Sequence, residues 1–240
     1  MTREETQQTS KIQDFARESL LWLQLQHENV VHLLGIDVER FPGMPCMVLP
    51  WMESGNIRNY MEKKTFPVVQ LNQWLREVAE GLTYLHDEQV VHGDLRGTNI
   101  LMSEDGVAKL ADFGLSVFAG ERSKSFHSLR GGSERWMAPE LLDPEAMNLI
   151  STRPTLASDV YSFGIVCVEI YTCEKPFHAH TNDNHVRKIV GAGGRPEKPS
   201  DPLKAIMDDD LFDLVCSCWQ HQPSDRPPIS TVLQQLRDRA

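Results

Sequence analysis

Apolar side chains recur along this chain mainly at the spacing of an α-helix. One run steps by four and three between residues 71 and 85 and predicts an amphipathic helix that ends near His86. Its apolar positions are Leu71, Leu75, Val78, Leu82 and Leu85. The stretch from Val160 to Tyr171 is apolar on nearly every side, which is typical of a helix buried at the centre of a domain. Two further apolar faces, over residues 211–218 and 229–236, predict two more helices.

The first fifty residues are different. A helical pattern over residues 10–26, with Ser10 as its N-cap, precedes two short apolar runs, VVHLLGIDV and PCMVLPW, that predict strands. A polar Gly/Ser-rich segment over residues 119–135 has no periodicity, which is typical of either a functional loop or a disordered one. The pattern therefore predicts an α+β fold with a strand-containing start and a large helical body.

Composition limits the classes of partner. The 240 residues include 40% hydrophobic and 24% charged side chains, and the net charge is −10. This acidic balance argues against nucleic-acid or anionic-membrane binding, because both need a basic surface. The longest apolar stretch is too short for a membrane span, and the N-terminus has no apolar signal-peptide region. The five cysteines show no C-x-x-C spacing, so we expect reduced thiols in a cytoplasmic, intracellular protein.

Three motifs carry the chemistry. They are VVHGDLRGTNIL at Val90 to Leu101, KLADFG at Lys109 to Gly114 and WMAPE at Trp136 to Glu140. Phosphoryl transfer needs a carboxylate to orient the attacking hydroxyl, oxygen ligands to hold Mg²⁺ and a cation near the developing charge. The first two motifs offer these groups on two loops, in Asp94, Arg96, Asn99 and Asp112.

In this order, the motifs resemble the catalytic loop, the metal-binding Asp-Phe-Gly and the Ala-Pro-Glu of eukaryotic protein kinases. The resemblance implies an ATP-dependent enzyme that phosphorylates protein hydroxyls in signal transduction, with ATP and Mg²⁺ as cofactors. It makes Asp94 the catalytic base and Asn99 and Asp112 the Mg²⁺ ligands. Arg96 stands where the family has a cation near the transferred phosphate.

The same resemblance assigns structural roles outside these loops. His92, Phe113 and Trp22 would belong to the hydrophobic column that links the two lobes of a kinase. Asp159 would bind the backbone of the catalytic loop. The resemblance also implies that Arg226 pairs with Glu140. That pair would be structural, because a buried charge without its partner is costly.

A further set resembles the ATP pocket. The run CMVLPWM at Cys46 to Met52 resembles the hinge that binds adenine. Leu49 would be the gatekeeper, Pro50 would offer its carbonyl and Met52 its N–H, with Leu101 on the pocket floor. In FARESLLW, at Phe15 to Trp22, Glu18 would be the helix residue that pairs with the ATP lysine.

The chain departs from the kinase pattern in two places. Gly93 stands where most kinases have the Arg that meets a phosphorylated activation loop, so we expect weak dependence on such phosphorylation. No Gly-rich loop and no strand with the ATP lysine precede Glu18. We therefore expect a single kinase domain over residues 1–240, with a truncated small lobe and hinge over residues 1–52 and a complete, mainly helical lobe over residues 53–240. A non-catalytic, pseudokinase-like scaffold and an inactive fragment of a longer kinase remain alternatives.

The sequence around the same motifs indicates which subgroup of protein kinases the chain resembles. WMAPE and Arg96 resemble tyrosine kinases and the tyrosine kinase-like group, whereas Ser133 stands where Ser/Thr kinases have a Thr. We favour the tyrosine kinase-like group, whose members mostly phosphorylate Ser or Thr, over a true tyrosine kinase. The activation loop would hold Ser123, Ser125, Ser128 and Ser133. The protein substrate and the oligomeric state are left open.

Overall fold

Helices form most of the regular structure, and four of them lie where the apolar periodicity predicts them. The computed structural model describes residues 15–16, 19–41, 45–112, 117–118, 133–147, 153–202 and 205–239. The helices are α1 (residues 19–24), α2 (Ile57–Met61), α3 (Val68–Asp87), α4 (Pro139–Leu142), α5 (Leu156–Thr172), α6 (Asp183–Gly191), α7 (Asp209–Cys218) and α8 (Ile229–Asp238). The helices predicted around residues 71–85, 160–171, 211–218 and 229–236 are confirmed as α3, α5, α7 and α8.

Side-chain caps explain where two of these helices begin. Thr155 accepts a hydrogen bond from the N–H of Ser158, and the Ser158 hydroxyl accepts one from the N–H of Thr155. This reciprocal capping box satisfies two backbone donors and sets the start of α5. Asp208 caps α7 in the same sense, because its Oδ1 accepts from the N–H of Leu211 at 2.8 Å.

The core is organised around α5. Thirteen of the 17 residues of this helix are buried, which explains why its sequence is apolar on nearly all sides. Helix α3 packs against α5, α8 and the second strand of a nearby hairpin. Full burial of a Leu or Val side chain stabilises the fold by roughly 1.5–3 kcal/mol relative to exposure, so this helical body carries most of the stability.

The strands are short and pair in antiparallel couples. They are β1 (Gly35–Asp37) with β2 (Cys46–Val48), β3 (Val90–Val91) with β6 (Val117–Phe118), β4 (Ile100–Met102) with β5 (Ala108–Leu110), and β7 (Ser200–Asp201) with β8 (Ala205–Ile206). The strand predicted over residues 30–38 is correct only for its second half. Val30 instead forms an isolated parallel bridge to Leu110, so its apolar run serves a tertiary contact.

The N-terminal segment is attached to the hairpin β4–β5 by its backbone. The N–H of Leu110 donates to the carbonyl of Asn29, and the carbonyl of Leu110 accepts from the N–H of Val31, both at 2.8 Å. The Asn29 side chain also donates to the carbonyl of Ala108 at 3.1 Å. Trp22 of α1 is buried against this segment and donates from Nε1 to the carbonyl of Val31 at 2.7 Å. These contacts fix the small N-terminal part on the edge of the helical body.

The predicted α+β class, with few strands at the start and a mainly helical remainder, is confirmed. No helix in the described ranges is both long and apolar enough to cross a bilayer.

Candidate active site

The hairpin β4–β5 brings two predicted metal ligands to one end. Its register pairs Ile100 with Leu110, so Asn99 and Asp112 flank the same end of the ladder. The N–H of Ala111 donates to the carbonyl of Asn99 at 2.9 Å and continues the pairing one residue beyond the strands. Asp112 is exposed and has a φ of +59°, a backbone conformation that non-glycine residues rarely adopt. Strain of this kind persists where the surrounding structure imposes it, and it is concentrated at functional sites.

Asp94 and Asn99 are fixed to each other. The Asn99 amide donates from Nδ2 to the backbone carbonyl of Asp94 at 2.9 Å and to its carboxylate oxygen Oδ2 at 3.2 Å. Asn99 closes a 3₁₀ turn at Gly97–Asn99 and is buried. The amide oxygen Oδ1 of Asn99 accepts one hydrogen bond, from the hydroxyl of Thr98 at 3.4 Å. An amide oxygen has two lone pairs, so Oδ1 keeps one for a further ligand.

A buried carboxylate on α5 holds the loop that carries Asp94. Asp159 is only 1% exposed. Its Oδ2 accepts from the N–H of His92 and its Oδ1 from the N–H of Gly93, both at 2.8 Å. His86 Nε2 lies 3.1 Å from Oδ2. A carboxylate can accept several hydrogen bonds at once, so this one side chain orders two consecutive peptide units directly before Asp94.

His92 adds a contact from inside the loop. Its Nδ1 accepts from the backbone N–H of Asp94 at 3.2 Å. Burial lowers the pKa of His92, mainly because desolvation disfavours the charged ring. A neutral ring keeps Nδ1 as an acceptor, which the contact to Asp94 requires.

Gly93 has a backbone conformation that suits glycine. Its φ is +79°, and its N–H is one of the two backbone donors to Asp159. Residues with a Cβ adopt this left-handed region at a cost of roughly 1–2 kcal/mol. Glycine at this position therefore lets the loop turn without strain while both hydrogen bonds to α5 are kept.

We expect Gly93→Ala to lower the free energy of unfolding by about 1–2 kcal/mol, because alanine must adopt the left-handed conformation to keep the bond to Asp159. Urea-induced unfolding followed by circular dichroism measures this. Gly35→Ala is the matched control: Gly35 does not have a positive φ, and no atom lies within 4 Å of the added Cβ. Equal effects of the two substitutions would show that the conformation at Gly93 is not the cause.

The wall beside Asp94 is formed by residues 133–137. Arg96 donates from Nη1 to the hydroxyl of Ser133 at 3.0 Å, and its guanidinium lies over the ring of Trp136 at 4.7 Å from the centroid. Stacking of a guanidinium on an indole ring is a favourable cation–π contact. Ser133 and Trp136 are both buried. Because Arg96 contacts both of them, the wall is attached directly to the loop that carries Asp94.

A second buried carboxylate on α5 joins this wall to the loop. Glu169 Oε2 accepts from the N–H of Gly97 at 2.9 Å and from Nε1 of Trp136 at 2.7 Å. A Cβ added at Gly97 would lie 2.8 Å from Cγ of Arg58 and 2.9 Å from Cδ of Glu169, so only glycine allows this approach. Burial raises the pKa of Glu169, and the Trp136 and Gly97 hydrogen bonds oppose that shift.

Comparison with known proteins decides the family. The sequence model of the family described as "Protein tyrosine and serine/threonine kinase" matches residues 1–236. The chain belongs to this kinase family. The matched residues include the loops that carry Asp94 and Asp112 and the wall formed by residues 133–137.

Relatives of this kinase chain include receptors and plant enzymes. It is 35% identical over 228 residues to "Ephrin type-A receptor 5" of Rattus norvegicus, covering 93% of this chain and 21% of the receptor. It is 31% identical over 238 residues to "Serine/threonine/tyrosine-protein kinase HT1" of Arabidopsis thaliana, covering 98% and 57% respectively. "Serine/threonine-protein kinase STY46" of Arabidopsis thaliana is 29% identical over 229 residues, covering 95% and 37%. The chain thus spans about a fifth of the receptor and just over half of HT1.

Kinases of this family use ATP and Mg²⁺, and the donor set of the chain fits the metal. The side chains that could hold it are Asn99, through its amide oxygen, and Asp112, through its carboxylate. The described residues contain no group of three or more His, Cys, Asp or Glu side chains placed to bind a metal. Mg²⁺ is usually bound by one or two carboxylates together with phosphates and water, and the carboxylate of Asp112 is a ligand of this kind.

The run predicted as the hinge begins with β2 (Cys46–Val48) and continues through residues 49–52 directly after that strand. The N–H of Gly55 donates to the carbonyl of Met52 at 2.9 Å, and the N–H of Met102 donates to the carbonyl of Gly55 at 2.9 Å. Leu101 forms an isolated bridge with Asn56, so it lies alongside the segment that follows the hinge. Leu49, Pro50, Met52 and Leu101 are all partly exposed, as a surface that binds a ligand must be.

The predicted structural pair is also brought together. Arg226 donates from Nη1 to Glu140 Oε1 at 2.6 Å and from Nη2 to Glu140 Oε2 at 2.8 Å. Glu140 is 3% and Arg226 6% exposed. This bidentate pair joins α4, just after the wall, to the segment before α8.

Five of the predicted residues lie outside the part of the chain that the structure describes. They are Glu18, Phe113, Ser123, Ser125 and Ser128. Two residues of the site were missed by sequence reasoning. Glu169 was visible only as a charge within the apolar run of α5. Arg135 lies in the wall and donates from Nε to Oδ1 of Asp183 at 2.6 Å, and no local sequence pattern indicated this contact.

Proposed function

We propose that this chain is an ATP-dependent protein kinase that transfers the γ-phosphate of ATP to serine or threonine hydroxyls of proteins. The observation that carries the proposal is the mutual fixing of Asp94 and Asn99 by two hydrogen bonds. Asp112 follows at the same end of the β4–β5 hairpin. In this arrangement the carboxylate of Asp94, which can accept a proton, lies next to Asn99. The oxygens of Asn99 and Asp112 are ligands of the kind that bind the Mg²⁺ of Mg·ATP.

In the proposed reaction, the hydroxyl oxygen of the protein substrate attacks the γ-phosphorus of ATP. The bond from that phosphorus to the β–γ bridging oxygen breaks, and ADP leaves. Asp94 orients the hydroxyl and accepts its proton. Arg96, whose guanidinium is oriented by Ser133 and Trp136, stabilises negative charge near the transferred group. Mg²⁺ held by Asn99 and Asp112 would neutralise charge on the phosphates.

We assign adenine recognition to the hinge. The carbonyl of Pro50 accepts from adenine and the N–H of Met52 donates to it, while Leu49 and Leu101 contact the ring. Proline lacks an N–H but keeps its carbonyl, so Pro50 is compatible with this role. The expected role of Glu18 as partner of the ATP lysine is part of the same proposal.

We further assign residues 1–240 to one kinase domain, with residues 1–52 in the small lobe and hinge and residues 53–240 in the large lobe. A single cluster of buried apolar side chains that runs from Trp22 to Leu236 supports this assignment. Contiguous burial of this kind is typical of one domain. His92, Phe113 and Trp22 would link the lobes within it.

Specificity for Ser and Thr is supported by Ser133, which contacts Arg96 beside Asp94. The relatives HT1 and STY46 are both named as kinases that include serine/threonine in their specificity. We therefore place the chain in the tyrosine kinase-like group.

A transfer assay tests the proposal. The chain is incubated with radiolabelled ATP and three peptide pools in which Ser, Thr or Tyr is the sole acceptor, with Mg²⁺ or with excess EDTA. We expect Mg²⁺-dependent label in the Ser and Thr pools. Label in the Tyr pool alone would contradict the proposed specificity, and no label in any pool would contradict the proposed activity.

A thermal-shift titration with Mg·ATP separates the enzyme from a non-catalytic scaffold. A ligand that binds only the folded state raises the unfolding temperature, because the free energy of unfolding grows with the logarithm of the ligand concentration above Kd. A shift without transfer would indicate a scaffold that binds nucleotide. The absence of both would indicate a chain that is inactive alone.

A further inference from the structure

A cavity lies where the end of α3, the first turn of α5 and the start of α8 meet. Its volume is about 350 Å³. Small-molecule pockets usually measure roughly 300–1,000 Å³, so this cavity can hold a ligand of modest size. The described residues that line it belong neither to the catalytic loop nor to the hinge or the β4–β5 hairpin. The cavity is therefore separate from the proposed ATP site.

Most of the cavity wall is apolar. The apolar side chains that line it are Leu156, Ala157, Val160, Pro227, Pro228 and Ile229. Val160 and Ile229 are each 2% exposed, whereas the other four are partly buried or exposed. The cavity thus has a closed apolar end and an opening to solvent. Removal of apolar surface from water drives binding at such a wall, so it favours a ligand with an apolar ring system.

The polar groups of the wall differ in how far they are already satisfied. The guanidinium of Arg226 binds Glu140 in a bidentate pair, so its charge is compensated. His86 Nε2 lies 3.1 Å from Oδ2 of Asp159. Asp87 also lines the cavity, but it is exposed. Its carboxylate places a negative charge at the opening, which attracts a cationic group on a ligand.

We propose that this cavity binds a small aromatic amine. The ring occupies the apolar end, where the planar side chains of His86 and Arg226 also offer surfaces for stacking. The ammonium group lies at the opening, beside Asp87. The inference goes beyond the proposed function, because it involves neither ATP nor the protein substrate.

One side chain connects this site to the catalytic loop. His86 contacts Asp159, and Asp159 accepts hydrogen bonds from the backbone N–H groups of His92 and Gly93, both at 2.8 Å. A ligand packed against His86 is therefore one residue away from the carboxylate that orders the loop before Asp94. The backbone amides of residues 92 and 93 should accordingly report whether the cavity is occupied.

Two-dimensional amide NMR of the whole chain, titrated with tryptamine, tests the proposal. Tryptamine joins an indole ring to an ammonium group, and indole and indole-3-acetate are the neutral and anionic comparisons. We expect a Kd of about 1 mM, which is ordinary for a ligand with so few atoms. The amides that shift should be those of residues 86–87, 156–160 and 229–230, together with residues 92 and 93. Tryptamine should bind about threefold more tightly than indole, because an exposed ion pair contributes about that much, and indole-3-acetate should bind more weakly than indole.

Substitutions separate recognition of the ring from recognition of the ammonium. Asp87→Asn should remove the preference for tryptamine while indole still binds. Asp105→Asn, which alters an exposed carboxylate in the β4–β5 turn, is the matched control and should keep that preference. Ala157→Phe fills the cavity from α5 and Ser230→Phe fills it from α8, and each should raise the Kd of both ligands more than tenfold. Ser224→Phe alters an exposed serine outside the cavity and should leave binding unchanged.

Four results would overturn the proposal, and none of the measurements requires phosphate transfer. Shifts confined to the hinge or to residues 94–112 would place the probe in the proposed ATP site. Equal affinity for tryptamine and indole-3-acetate would show that the amine is not recognised. Unchanged binding in both phenylalanine variants of the cavity would show that the ligand lies elsewhere. A dimer, measured by light scattering, that tryptamine dissociates would show that a second copy of the chain fills the cavity instead.

Discussion

Replacing Asp94 by asparagine is expected to lower the rate of phosphoryl transfer by about 10²–10⁴-fold while the fold stays intact. An amide cannot accept the hydroxyl proton, and a positioned general base typically contributes a factor of this size. Asparagine has the same shape and keeps an oxygen that can accept from Nδ2 of Asn99. The bond from that nitrogen to the backbone carbonyl of residue 94 is unaffected. The substitution therefore removes a proton acceptor from a loop that keeps its structure.

The measurement is kcat with radiolabelled ATP and peptide, together with the thermal unfolding temperature. Asp105→Asn is the control, because Asp105 is an exposed carboxylate in the turn of the β4–β5 hairpin. It should change neither quantity. If Asp94→Asn kept more than about a tenth of the wild-type rate, Asp94 would not be the base.

Arg226→Met is expected to lower the free energy of unfolding by about 3–5 kcal/mol. Removing one member of a buried ion pair leaves the other charge without compensation, and losses of this size follow. Here Glu140 would lose two short hydrogen bonds while it remains buried. The carbonyls of Gln220, Ala157 and His221 would each lose a donor as well. The guanidinium also lies 5.1 Å from the ring centroid of Tyr161, a contact that methionine reproduces only in part.

Chemical denaturation of four proteins resolves the source of this loss: wild type, Arg226→Met, Glu140→Met and the double variant. The double variant should be less destabilised than the sum of the single variants, since no charge is left buried and unpaired. Arg237→Met is a surface control. Its pair with Glu80 is largely exposed, so its loss should cost less than about 1 kcal/mol. A loss below that level for Arg226→Met would show that Glu140 is neutralised or solvated.

The sequence predicted the secondary structure best where one apolar periodicity extends over many residues. The apolar positions of α3 and α5 predicted both helices, because a helix that faces a core must place its apolar side chains on that side. Residues 30–34 did not form the predicted strand, since Val30 and Leu110 meet through a long-range bridge that no local pattern encodes. The order of the three motifs located Asp94, Asn99 and Asp112, but the left-handed backbone at Asp112 depends on its neighbours in space.

Contacts distant in sequence were the least predictable. Arg135 and Asp183 are 48 positions apart, and neither lies in a periodic pattern that relates them. Glu169 meets Gly97 across 72 positions. Buried polar groups of this kind are specified by the need to satisfy every donor and acceptor in the folded state, which is a property of the whole arrangement.

Asp159 and Glu169 lie ten positions apart on the same helix, and between them they bind the backbone of the catalytic loop at residues 92, 93 and 97. The loop is therefore ordered when the large helical body folds, before any nucleotide arrives. Its conformational entropy is lost during folding, so binding of substrates need not supply that free energy. Active-site dipoles that are oriented in advance stabilise charge without reorganisation during the reaction. Backbone amide order parameters for residues 92–99 should accordingly be the same with and without Mg·ATP.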